Sequence, residues 1–243
     1  MPLLLWDVDL TLVVTGSAGR DVFDAAVEAA LGRHPGDHGV RMAGKTDPQI
    51  AREILAFAAV AEAEHDSHLP TVLEALESGL AAEAARIGAE GHALPGVTDL
   101  LARLAAHPFV VQTVLTGNIR PNAAVKVGAF GLDRWLDLDV GAYGSDSPIR
   151  ADLVPVAVAR AELRYGRRFP PERTWVIGDT PLDLACARAG GVRCLLVATG
   201  HHPYDELAAT GADAVVHDLR STVELTRLLL DGDDSPTFSG NVA

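Results

Sequence analysis

Basic side chains are in short supply, aromatics are scarce, and cysteine and long apolar runs are nearly absent. Twenty Lys and Arg stand against 33 Asp and Glu, a formal net charge of -13 over 243 residues. Such a surface repels nucleic-acid phosphates and anionic membranes, which excludes both as bulk partners. It repels phosphorylated molecules at long range too, so any anion site must concentrate positive charge locally, through Lys, Arg or a metal ion. The two cysteines, Cys186 and Cys194, are too few for a disulfide scaffold and lack zinc-site spacing. They read as core thiols in a reducing cytosol. No apolar stretch reaches the about 18 residues of a membrane span. The opening MPLLLWDVDL has no positive flank, and Asp7 and Asp9 break its apolar run, so it does not read as a signal peptide. A soluble cytoplasmic protein is expected. Aromatics make up only 5% while alanine is abundant, which favours closely packed helices.

Apolar residues make up 48% of the chain, enough for a substantial core. The run Leu3 to Trp6 stops at Asp7, as a buried parallel strand does when it ends in polar residues. Similar runs follow at Phe109 to Leu115, more weakly at Leu136 to Val140, then at Thr174 to Ile177, Cys194 to Val197 and Ala214 to Val216. Helical patterns separate most of them: Leu100, Leu101 and Leu104 repeat at helical spacing, as do Val154, Val158 and Ala161. Strands alternating with helices predict an α/β fold, a parallel sheet with helices on both faces. From Ser17 to Gly91 the alternation lapses. Asp21 to Leu31, Pro48 to Glu64 and Leu69 to Ile87 read as helices with no strand among them, a helical insertion after the first strand. The expected division is a core of residues 1–16 and 92–230, an all-helical insertion of residues 17–91, and a disordered tail, residues 231–243, rich in turn formers.

Ligands of open parallel sheets bind beyond the carboxyl ends of the strands, so polar residues at several ends should converge. The first strand ends Asp7-Val8-Asp9-Leu10-Thr11, with two carboxylates pointing the same way off an extended chain. Their mutual repulsion calls for a cation. A second strand ends Thr116-Gly117-Asn118, where open N–H groups suit an anion, although Thr116 also reads as a helix cap. A third ends Gly178-Asp179-Thr180-Pro181-Leu182-Asp183; a cap explains one of these acids but not both. Carboxylates at neighbouring strand ends make a hard-oxygen site suited to Mg²⁺. No glycine-rich dinucleotide loop follows the first strand, which argues against a nicotinamide cofactor. His65 and His68 share a helical face and read as solvated surface, and His201-His202-Pro203 as a loop near a strand end.

In this order, with a helical insertion between the first two, these motifs resemble the haloacid dehalogenase-like superfamily, in the branch with a helical cap on a Rossmann-like core. Gly44-Lys45-Thr46-Asp47-Pro48 and Leu94-Pro95-Gly96-Val97 are similar to stretches of its phosphoglycolate phosphatase-like members. The resemblance implies a Mg²⁺-dependent phosphatase that hydrolyses a small, phosphoglycolate-like phosphorylated metabolite through an aspartyl-phosphate. Asp7 would be the nucleophile and Asp9 the acid and base. Thr116, with Gly117 and Asn118, would bind phosphoryl oxygens. Asp7, the Asp9 carbonyl, Asp179 and Asp183 would serve the metal, and Lys45 would reach the substrate from the cap. A sugar phosphomutase is the alternative; a 2-haloacid dehalogenase needs neither Asp9 nor the metal, and a non-catalytic regulator needs none of the acids. Two departures from the family are visible. Leu10 stands where glycine is common, a position expected to tolerate a side chain. The family's lysine is missing between Val127 and Asp179; Arg150 is expected to take its place, with Lys126 as the other candidate.

Overall fold

The computed structural model describes residues 1–231. β1 (Leu3–Trp6) is followed by the short β2 (Val13–Val14), then by four helices, α1 (Ala18–Leu31), α2 (Asp47–Phe57), α3 (Glu62–Ala82) and α4 (Ala84–Glu90). β3 (His92–Ala93) pairs back antiparallel onto β2, so the helical stretch begins and ends at adjacent backbone positions. The chain continues through α5 (Val97–Ala105), β4 (Val111–Val114), α6 (Arg120–Gly128), α7 (Leu153–Tyr165), β5 (Thr174–Gly178), α8 (Pro181–Ala189), β6 (Arg193–Val197), α9 (Tyr204–Ala208), β7 (Ala214–Val216) and α10 (Thr222–Asp231). The tail expected at residues 231–243 lies, apart from the last residue of α10, outside the described residues. Among the described residues no helix is long and apolar enough to cross a membrane.

Five strands form one parallel sheet in the order β4-β1-β5-β6-β7. The period-two alternation of strand side chains divides its core between two faces. Leu4 and Trp6 of β1 pack with Leu100 and Leu104 of α5, Val127 of α6 and Leu225 of α10. Leu3 and Leu5 pack on the other face with Leu153 of α7, Leu184 of α8 and Leu207 of α9. The helices of the insertion bury a third set, including Val22, Phe23, Ile54, Leu55, Val72 and Leu76, which also receives Ile119 at the start of α6.

Three expectations are corrected. The run 136–140 forms no strand. That segment follows the outer edge of β4 through single bonds, Asp137 N–H to the Gln112 carbonyl and Ala142 N–H to the Val114 carbonyl, with one isolated bridge between Leu115 and Ala142. The helix expected over 48–64 breaks after Phe57: Ala59 turns left-handed (φ 61) and Val60 N–H returns to the Leu55 carbonyl. This is the closure usually made with glycine, here carried by alanine. The helix expected from Leu69 starts at Glu62 and runs through Pro70.

Candidate active site

Register brings the strand tips together. Trp6 lies level with Val114 on one side and Ile177 on the other, so Asp7 emerges between Leu115-Thr116 and Gly178-Asp179. Asp7 N–H donates to the Ile177 carbonyl at 2.8 Å, and its carboxyl is buried. After Asp9 the chain turns sharply. Leu10 adopts φ 60, a left-handed conformation costing a branched side chain roughly 1 kcal/mol or more relative to glycine. Thr11 Oγ1 donates to Asp179 Oδ1 at 3.3 Å.

Asp183 sits in the first turn of α8 and closes a capping box with Thr180: its Oδ2 accepts from Thr180 N–H at 3.0 Å and Thr180 Oγ1 at 2.7 Å. The local motif thus uses one of its oxygens, and the other is taken by the Arg150 guanidinium. Arg150, just ahead of α7, also lies 3.1 Å from Asp7 Oδ1. Burial opposes the charge on Arg150, but Asp183 and Asp7 outweigh it and keep the guanidinium more firmly protonated than usual.

Asp9 faces different company. Lys126 of α6 donates to both its oxygens, at 2.8 and 2.7 Å, and Asn118 Nδ2 donates to Oδ2 at 2.8 Å. Asn118 Oδ1 in turn accepts from Lys126 at 2.6 Å, and its amide also donates to Thr116 Oγ1. Asp7 and Asp9, two residues apart, therefore lie in two different surroundings.

The helical insertion packs on α6 through α3 and α4, and reaches the site itself through one short segment. Asp47 N–H donates to the Gly117 carbonyl at 2.7 Å, Ile119 N–H donates to Asp47 Oδ2 at 2.7 Å, and Thr46 Oγ1 donates to the Pro148 carbonyl at 2.7 Å. The approach is close enough that a Cβ on Gly117 would collide with the Lys45 carbonyl, which only glycine avoids. The Lys45 ammonium itself is paired with Glu53 at 2.5 Å.

Burial, with Asp183 and Asp9 adding to it, raises the Asp7 carboxyl to about 6 against the pull of Arg150. Burial with Asp183 and Asp7 raises Asp179 to about 8. Burial likewise raises Asp47 to about 7, against the pull of Lys126. One oxygen from each of Asp7, Asp179 and Asp183 falls within 4.8 Å of the others, and Asp179 Oδ2 is buried with no hydrogen-bond partner. Crowded acids, an orphaned buried oxygen and an all-oxygen donor set together fit a hard divalent cation. Asp9 contributes no side-chain oxygen to this cluster.

The raised carboxyls give a test. In the fold, Asp7 and Asp179 keep protons that an unfolded carboxyl gives up near about pH 4. The native state thus binds more protons between about pH 4 and about 8, and metal-free stability contributed by these groups falls across that interval. A divalent ion must displace the protons. The rise in Tm on adding Mg²⁺ should therefore grow between about pH 6 and about 8. Thermal melts with and without the ion read this directly; a shift that shrinks over the interval would remove these acids as its ligands.

Of the residues singled out in the sequence, Asp7, Asp9, Thr116, Gly117, Asn118, Arg150, Lys45 and Asp179 line one cavity, with Lys126 and His201. Asp183 stands behind it, on Arg150. His65 is buried and bonded to the Val60 carbonyl, correcting its reading as solvated surface. The Asp47 carboxyl is the residue the sequence concealed: as the acid after a Thr cap and before Pro48 it looks like an ordinary helix start, and only its partner Ile119, distant in the chain, distinguishes it.

The family model of the haloacid dehalogenase-like hydrolases matches residues 4–188, and the chain belongs to that family. A protein provisionally named pyrophosphatase PpaX, from Caldanaerobacter subterraneus subsp. tengcongensis, is 27% identical over 131 residues, 54% of this chain and 57% of that protein. One provisionally named phosphatase IndB, from Dickeya dadantii, is 29% identical over 148 residues, 61% of this chain and 62% of that protein. The matches thus span less than two thirds of either curated relative. The solved structure of CbbY from Rhodobacter sphaeroides in complex with phosphate shares the fold, at a TM-score of 0.62 and 22% identity over 90% of this chain and 96% of that one.

Proposed function

We propose that this chain is a phosphatase that transfers the phosphoryl group of a small phosphorylated metabolite to Asp7 and then to water, with Mg²⁺ as its metal. The observation that carries the reading is the division of labour built into one strand tip. Asp7 lies among acids and Arg150, whereas Asp9 is gripped by Lys126 and Asn118. Two carboxylates in unlike surroundings are suited to unlike roles.

The Asp7 carboxylate oxygen attacks phosphorus as the bond to the leaving oxygen breaks, and that oxygen takes a proton from the Asp9 carboxyl. Water, giving its proton back to Asp9, then attacks the aspartyl-phosphate at phosphorus and releases inorganic phosphate. Arg150 orients Asp7, Lys126 and Asn118 orient Asp9, and Thr116 with the neighbouring N–H groups receives phosphoryl oxygens. Asp7 and Asp179, with the Asp9 carbonyl, would hold Mg²⁺, with Asp183 behind them orienting the site, and the ion would neutralise charge on the acids and the phosphoryl group. The helical insertion, keyed down through Asp47 and Thr46, acts as a cap that excludes bulk water. The names of PpaX and IndB and the phosphate complex of CbbY are in keeping with phosphoryl chemistry.

The test is release of inorganic phosphate from a panel of phosphomonoesters, with Asp7→Asn as the control. Isomerised sugar phosphate formed without net phosphate release would favour the mutase alternative instead. Turnover should vanish in excess chelator, return with Mg²⁺, and be inhibited by Ca²⁺, whose looser coordination lets a carboxylate bind through both oxygens and withholds the attacking atom. Full activity in chelator would sink the metal assignment.

A further inference from the structure

The cavity between the strand tips and the insertion has a volume of about 340 Å³ and two unlike ends. The sheet end carries the acids and cations already described. Away from them the cavity is lined mainly by apolar side chains, Leu10, Val13 and Val14 from the core and Phe23, Met42 and Ile50 from the insertion, with Arg20, Lys45 and Asp47 as polar neighbours. The cations lining the cavity are engaged: Lys45 by Glu53, Lys126 by Asp9, Arg150 by Asp7 and Asp183. Arg20 is exposed at the rim and donates to the Val40 carbonyl at 3.2 Å. A substrate with a second anionic group would thus meet an apolar wall, in a protein of net charge -13, with no unpaired cation deep in the cavity among the described residues.

Leu10 supplies an independent observation. It holds a left-handed conformation that glycine adopts freely, and its side chain lines the cavity. Strain kept at a site signals that the side chain is doing something there. Together with the wall, it gives a chemical class for the leaving group.

We propose that the substrate is a phosphomonoester of an uncharged, largely apolar alcohol, and that Leu10 is a specificity-determining residue packed against that alcohol. The proposal rests on the phosphatase reading above. The anionic two-carbon ester phosphoglycolate, by contrast, is disfavoured.

Isobutyl phosphate and phosphoglycolate are a fair pair, because the branched tip of one matches the carboxylate of the other in shape. With the Mg²⁺-loaded full chain, kcat/KM should favour isobutyl phosphate by about tenfold or more, as for other apolar pockets. Leu10→Gly should raise Tm, since strain is relieved, yet raise KM for isobutyl phosphate several-fold and leave KM for phosphoglycolate little changed. Arg20→Ala should leave isobutyl phosphate kinetics unaltered. A wild-type preference for phosphoglycolate overturns the proposal. So does a Leu10→Gly variant with unchanged KM for isobutyl phosphate, or an Arg20→Ala variant that loses about tenfold or more on the preferred ester. If neither ester nor phenyl phosphate releases phosphate, the phosphatase reading itself has failed and takes this one with it.

Discussion

Asp7→Asn should leave a folded protein whose phosphate release falls by about a thousandfold or more, the scale expected when a covalent nucleophile is removed. The amide matches the carboxylate in shape but cannot attack phosphorus. Folding should survive for a reason visible in the site. Burial already raises the Asp7 carboxyl to about 6, so a neutral group suits its surroundings. One contact to Arg150 weakens, and one negative charge leaves a cluster that has too many. Tm in the absence of metal should therefore hold or rise. Activity above a few per cent of wild type, with deamidation excluded by mass spectrometry, would mean that another atom attacks.

The second large effect is expected at Arg150. Its guanidinium touches Asp7 and Asp183, and a fixed charge in a water-poor site contributes several kcal/mol to barrier lowering. Arg150→Ala should cost on the order of a hundredfold or more in kcat. Arg150→Lys should recover part of this, because the charge returns without the planar fork that reaches two carboxylates at once. Lys126→Ala provides the contrast. Lys126 grips Asp9, so its loss should be milder overall and fall hardest on esters with poor leaving groups, which need the proton Asp9 donates. The Arg150 deficit should be similar for good and poor leaving groups. A nearly normal Arg150→Ala enzyme beside a dead Lys126→Ala enzyme would reverse the two assignments.

Much of this arrangement was legible because the information was local. Four residues from Leu3 to Trp6 are apolar without interruption, and a strand buried on both faces leaves little else they can be. The acids follow the strands immediately, so the sheet's own register carries Asp7 and Asp179 to the same edge. What escaped was either too short or too distant. β2 and β3 are two residues each, below any period that a pattern can reveal, and they become strands only by pairing across the whole insertion. The break at Ala59 lacks the glycine that would announce it. Leu136 to Val140 has strand-like residues but meets β4 at single bonds, because Thr113 Oγ1 and the 137 and 142 amides fix the path instead. Asn118 sits where a phosphate-binding loop would put it, yet besides its neighbour Thr116 it contacts Asp9, far away in sequence, and Lys126, on the following helix. The partner of Asp47 is likewise invisible until the insertion is folded down.

Because β2 and β3 lie side by side, the sheet perceives the four helices between them as no more than the loop of a two-residue hairpin. The ends stay together however long that loop is, so its length adds almost nothing to the conformational demand on the core. None of the acids at the strand tips comes from within it. The acids that carry the chemistry thus lie on a stretch separable from the insertion, while the wall facing the substrate is shared between Leu10 of the core and Phe23, Met42 and Ile50 of the insertion. Helices could be exchanged between Val14 and His92 as one exchanges the head of a tool, with the handle, and the reaction it delivers, left intact.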